Sequence, residues 1–228
     1  MRTAGARQPR AIAAVAAVAI AAALTLLSAA PLGADTLTAR EALAALVRAP
    51  ESAPASPRYS RGAFRHWIDA DRNCRNTRAE VLVRASSVTV TGRCTILRGS
   101  WISSYDGLVT DLAARLDVDH MVPLKEAWDS GAAAWSSTTR AAYANDLDDP
   151  RALVAVSASS NRSKSDRDPA EWLPALDRCG YAQAWVAVKW RWSLSVDDAE
   201  YGVLAALLTG ACGDAALSVT RAASSVAP

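Results

Sequence analysis

The chain has 228 residues, with 25 lysines and arginines against 23 acids and a formal charge of +2. That length fits one domain with appendages or two small domains. The hydrophobic share of 51% is raised by an alanine-rich N-terminus, and 21% of residues are charged. This balance excludes collagen, coiled coil and wholesale disorder. Only two histidines are present, His66 and His120. A three-histidine metal site is therefore excluded, and any catalytic imidazole is one of these two.

Arg2, Arg7 and Arg10 precede an almost unbroken run of Ala, Val, Ile and Leu over residues 11–30, followed by Pro31, Gly33 and Ala34. A basic start, an apolar run and small residues predict a secretory signal peptide over residues 1–34. The alternative is an uncleaved membrane anchor. Cleavage takes three arginines from a chain of net charge +2 and leaves −1, so any phosphate-binding surface must be local. Cys74, Cys94, Cys179 and Cys212 all follow the leader. An even count in an oxidising compartment predicts two disulfides. Three pairings are possible; Cys74–Cys94 with Cys179–Cys212 is preferred because each closes a local loop. No C-x-x-C pair is present, which argues against a zinc ribbon.

In chain order, residues 35–58 read as an N-terminal helix (37–48) and a Pro/Ala/Ser-rich linker (49–57). Residues 59–215 read as the globular domain and 216–228 as a flexible tail. Within the domain, a helix is expected over 76–85. Alternation predicts a hairpin over 88–103, from VTVT at 88–91 and CTILRGSWIS at 94–103. LDVDHMVPL at 116–124 is strand-like and stopped by Pro123, with KEAWDSG continuing as a short helix. A helix is expected over 137–146 and a short strand at 153–157. Two helices close the domain, 181–192 with Trp185, Val188 and Trp192 on one face, and 198–209. Asp197 and Glu200 form a capping-box pattern at the start of the second, and Gly210 sits just past its end.

The informative stretch runs from Asp117-Val118-Asp119-His120-Met121-Val122-Pro123 to Asn161-Arg162-Ser163-Lys164-Ser165-Asp166-Arg167. A strand delivering Asp-His, a spacer, a second short strand and a helix carrying Asn and Lys resembles the HNH endonucleases of the ββα-metal (His-Me finger) class. The block F-x-x-W-x-D-A-D-x-x-C-x-x-T-R-x-E-V-L at 64–82 looks like the exported HNH endonuclease family proteins of actinobacteria. The resemblance implies an α+β fold, with a ββα-metal core embedded in a helix-rich, disulfide-stapled domain. It also implies hydrolysis of phosphodiester bonds in DNA, with RNA as a second substrate, leaving a 5′-phosphate and a 3′-hydroxyl.

The chemistry accounts for these residue types. A neutral imidazole accepts a proton near pH 7, so His120 is the expected general base. A hard divalent ion, Mg²⁺ or Mn²⁺, needs oxygen ligands, and Asp119 and Asn161 supply a carboxylate and an amide. Neighbouring strand residues face opposite ways, so Asp119 and His120 serve one site only where the strand ends. Lys164, Arg162 and Arg167 are the expected phosphate contacts, with a solvated helix face as the competing reading for each. The resemblance also implies a middle Asn that orients His120 through its other ring nitrogen; Asn145 is the preferred match, with Asp149 as the alternative. Asn161 has a competing reading as a helix cap. His66 reads as structural or surface, and Asp69 and Asp71 as a helix start rather than a second metal site. The expected partner is nucleic acid, DNA first, met by a secreted monomer without stable membrane association after leader removal. The rivals are a non-catalytic module binding nucleic acid or cell-surface polymer, and an antibacterial nuclease toxin.

Overall fold

Two strands carry the Asp-His segment and its partner. β4, Leu116–His120, pairs antiparallel with β5, Leu153–Ser157, in a register running from Leu116 opposite Ser157 to His120 opposite Leu153. A short helix, α5 (Ala158–Lys164), follows β5 directly and packs on both strands. The Ser157 hydroxyl accepts the Ser160 N–H and starts this helix, as a serine N-cap does. In a computed structural model, these elements lie among the described residues, which are Met1, 35–51, 57–213 and 215–222. The expected signal peptide and the centre of the linker lie outside them.

The connection from β4 to β5 holds α3 (Leu124–Asp129) and α4 (Ser137–Ala144). Pro123 stands at the α3 N-terminus, where its missing N–H costs nothing. α2 (Thr77–Ala85), capped by Asn76, also packs on both strands of the ribbon. Arg84 of α2 donates to the Leu153 carbonyl at 3.1 Å. The Trp101 indole N–H donates to the Leu82 carbonyl at 2.9 Å.

α6, Arg178–Trp192, is buried on nearly every side, including Lys189 and Arg191. Such a helix needs partners for its charges. Lys189 Nζ lies 2.7 Å from Glu126 and 2.6 Å from Glu200 of α7 (Asp198–Thr209). Arg191 grips Asp146 through two nitrogens, at 2.7 and 3.1 Å. Cys179 and Cys212 join the open end of this helix pair, and Cys74 joins Cys94, as expected from their spacing.

Four expectations change. The hairpin over 88–103 is absent: Thr91 makes one isolated bridge to Arg98, while β2 (Arg98–Ile102) pairs with β3 (Val109–Leu112). Gly92, at φ +94, turns the chain out of the VTVT segment, and a Cβ there would strike the Thr95 carbonyl. The N-terminal helix shrinks to α1 (Ala39–Ala44), because Thr38 and Glu41 form a reciprocal capping box that fixes its start. Residues 216–219 are β6 rather than tail, paired with β1 (Asp35–Thr38). Leu217 and Val219 are buried there, which alternation in this short segment allows. Only half of the Asp197/Glu200 box forms: Asp197 accepts the Glu200 N–H, but the Glu200 carboxylate turns inward to Lys189. No helix among the described residues is long and apolar enough to cross a membrane.

Candidate active site

Asp119 and His120 are the last two residues of β4, so the strand ends where both are needed. They line an open cleft of about 410 Å³ with Asn161 of α5. The His120 ring lies between Trp67, at 5.5 Å and 27° between planes, and Tyr143, at 6.4 Å and 18°. Trp67 holds a left-handed backbone, φ 58, a conformation that costs a non-glycine residue about 1–3 kcal/mol and clusters at functional sites. Burial pushes the His120 pKa down to about 3; the Ala144 carbonyl opposes that shift and the Arg61 charge reinforces it.

The tautomer follows from one contact. His120 Nε2 is 3.0 Å from the Ala144 carbonyl oxygen. A carbonyl only accepts, so Nε2 carries the hydrogen in the neutral ring and Nδ1 keeps the lone pair.

Asp119 is held by two donors on one oxygen. Its Oδ2 accepts from the Tyr105 hydroxyl at 2.7 Å and from Lys164 Nζ at 2.5 Å. Oδ1 carries neither bond. Burial pushes the Asp119 carboxyl up and the Lys164 ammonium down, and their contact opposes both shifts. Asn161 Nδ2 donates to Asp117 at 3.2 Å, so its carbonyl oxygen is uncommitted. The helix cap belongs to Ser157, and Asn161 sits one turn further on.

Two expected roles are corrected. Asn145 does not touch His120. Its Oδ1 accepts from the Ile68 N–H and the Thr77 hydroxyl, and its Nδ2 donates to the carbonyls of Arg65 and Ala141. The carbonyl before it, Ala144, bonds the imidazole instead. Asp149 pairs with Arg151. Lys164 cannot meet a phosphate: its side chain is 0% exposed, and its three donors serve Asp119 and the carbonyls of His120 and Met121. Of the other two expected phosphate contacts, Arg162 lines the cleft beside Asp117, at 3.5 Å. Arg167 Nε is spent on the Lys164 carbonyl.

His66 bonds the Phe64 carbonyl and meets Trp67 edge-on. Asp69 and Asp71 accept the N–H groups of Asn73 and Cys74 in the turn before α2. Glu51, Asp168 and Asp197 bring carboxylate oxygens within 4.8 Å of one another, and none lines the cleft. Burial and the neighbouring Glu126 push Glu51 up to about 8. Sequence reasoning missed Trp67, Tyr105, Tyr143, Arg61 and Lys125. Of these, Trp67 stood inside the quoted 64–82 block and Lys125 opened the quoted KEAWDSG helix.

The comparisons with known proteins agree with this geometry in one respect. A model of the GmrSD restriction endonucleases, C-terminal domain, matches residues 73–207. The chain belongs to that family. Family membership ties β4, β5, α5 and both closing helices to a nuclease-related domain. An uncharacterized secreted protein of Arthroderma benhamiae is 44% identical over 153 residues, covering 66% of this chain and 74% of its own. No solved structure matches. The two disulfides and the secreted relative fit an oxidising, extracellular setting. Arg61 and Trp67 lie upstream of the matched GmrSD segment.

Proposed function

We propose that this chain is an exported, divalent-metal-dependent HNH endonuclease that hydrolyses phosphodiester bonds in DNA. One observation carries the reading: a neutral, tautomer-fixed imidazole and two uncommitted side-chain oxygens, from Asp119 and Asn161, share one open cleft. The chemistry of that donor set, a carboxylate and an amide oxygen, suits Mg²⁺ or Mn²⁺, which keeps several waters. When bound, the ion supplies positive charge to the phosphorane and the leaving oxygen.

The residues do the rest. His120 Nδ1 takes a proton from the attacking water, whose oxygen bonds to phosphorus as the bond to the 3′ oxygen breaks. The 3′ oxygen leaves protonated by solvent, and the phosphate stays on the 5′ side. Trp67 and Tyr143 hold the ring in place, so little reorganisation is left to the reaction. Lys164 and Tyr105 fix Asp119 Oδ2 and leave Oδ1 for the ion.

The mature chain incubated with plasmid tests this directly. Cleavage is expected with Mg²⁺ or Mn²⁺ and none with EDTA. An intact plasmid under all these conditions sinks the reading in favour of a binding module.

A further inference from the structure

We propose that Arg61 is the cation that holds the scissile phosphate and stabilises its transition state, a role resting on the nuclease reading above. The cleft has three cations on its wall, Arg61, Lys125 and Arg162. Lys125 is paired with Asp129 and Arg162 with Asp117. The ammonium beneath the floor, Lys164, is sealed away on Asp119. Arg61 is exposed, and its guanidinium has no hydrogen-bond or ion-pair partner among the described residues. Asp166 also lines the cleft, and its carboxylate holds the Ser165 hydroxyl rather than a cation. The one free positive charge on this wall is therefore Arg61.

Hydrogen bonds and packing fix the backbone that carries Arg61. A 3-10 turn spans Arg61–Ala63. The Ala63 N–H donates to the Ser60 carbonyl and the Phe64 N–H to the Arg61 carbonyl. Arg140 Nε reaches the Ala63 carbonyl at 3.2 Å. Phe64 is fully buried and meets Trp128 and Tyr143 edge-on, at 6.2 and 6.1 Å. Tyr143 in turn stacks on His120. The turn is thus locked to the same aromatic cluster that holds the base. A planar guanidinium presents paired donors suited to a phosphate. Donors placed in advance where charge develops act mainly on the transition state. The family-matched segment begins at residue 73, so this charge comes from outside it.

The experiment compares the mature parent chain with Arg61→Ala and Arg61→Lys on a defined DNA duplex in Mg²⁺. Measurements are kcat, KM and the melting temperature. Arg61→Ala is expected to lower kcat by about 10²–10³-fold, the usual loss for one transition-state donor. The melting temperature should hardly move, because the side chain is exposed and makes no hydrogen bond or ion pair among the described residues. Arg61→Lys should restore part of the loss, since it keeps the charge but not the paired donors. Three results overturn the proposal: Arg61→Ala turning over at the parent rate, a change confined to KM, or a loss of kcat that tracks a fall in melting temperature. The parent's own turnover tests the nuclease reading separately, and a parent that cleaves nothing ends both.

Discussion

His120 Nε2 points at the Ala144 carbonyl across 3.0 Å, and that bond decides which nitrogen can act as a base. Ala144 is the last residue of α4, so a helix terminus lends one of its unpaired carbonyls to the ring. The first prediction follows from this. His120→Ala should cut cleavage by about 10²–10⁴-fold while leaving the affinity for Mg²⁺ and DNA near the parent's. Circular dichroism must first show a folded variant, since the ring fills space between Trp67 and Tyr143. A folded His120→Ala that cleaves plasmid at the parent rate defeats the assignment of His120.

The buried pair of Lys164 and Asp119 gives a second prediction with an opposite signature. Lys164→Met removes the ammonium and leaves a buried carboxylate without its counter-charge. Breaking such a pair from one side costs about 3–5 kcal/mol. Urea unfolding should register that loss. The KM for DNA in the fraction that stays folded should be unchanged, because Lys164 is 0% exposed. A stable Lys164→Met with a raised KM would return the lysine to a phosphate-binding role.

The sequence made much of this legible, and the reasons for the rest are physical. β4, β5, α2 and α7 were readable because each has a local cause: Pro123, the apolar 153–157 run, the Asn76 cap and the Asp197 cap. The β2–β3 pairing was not, since it depends on which of two neighbours Arg98–Ile102 finds, and alternation is silent on partners. β6 was hidden in a segment of small residues whose burial depends on β1, 178 positions or more away in the chain. In the site, residue types pointed to Asp119, His120 and Asn161. Spacing could not show that Lys164 points inward, or that a backbone carbonyl takes the place of the Asn145 amide. No side-chain motif encodes a carbonyl.

A third prediction concerns pH. Burial, reinforced by Glu126, raises Glu200 from 4.5 to about 7, with Lys189 opposing the shift. One ammonium sits between two carboxylates; Lys189 is held above its ordinary value and Glu126 below, so Glu200 is the member that takes up a proton. A raised folded pKa means the folded state binds more protons than the unfolded chain between those values. The stabilisation is full below about 4.5 and is lost as pH rises through about 7. Glu200→Gln keeps an acceptor for the Trp185 indole but cannot titrate. Its stability relative to the parent should therefore improve as pH rises across that window, by on the order of 2–3 kcal/mol. A pH-independent difference in urea midpoints would show that Glu200 keeps an ordinary carboxylate pKa.

The last prediction concerns Asn145. Its amide joins three pieces of backbone: Oδ1 takes the Ile68 N–H at 3.0 Å, and Nδ2 donates to Arg65 at 2.7 Å and Ala141 at 2.8 Å. The Thr77 hydroxyl adds a bond from α2 at 2.6 Å. Residues 65 and 68 bracket Trp67, so the amide clasps the strained loop that lays the indole on His120. Asn145→Ala leaves the Ile68 N–H and two carbonyls without this partner. Unsatisfied groups of this kind cost about 1–3 kcal/mol each when buried; these are partly exposed, so a total loss of roughly 3 kcal/mol is expected. Asn145→Asp keeps both acceptor bonds but turns a carboxylate oxygen toward two carbonyls, so it should be no better than alanine. The loss of activity should be smaller than for His120→Ala, because the Ala144 carbonyl remains to hold Nε2. Melting temperature and kcat, read on the same two variants well below their transitions, check both statements. An Asn145→Ala chain that is as stable as the parent but inactive like His120→Ala would give Asn145 a direct part in the chemistry, against the clasp described here.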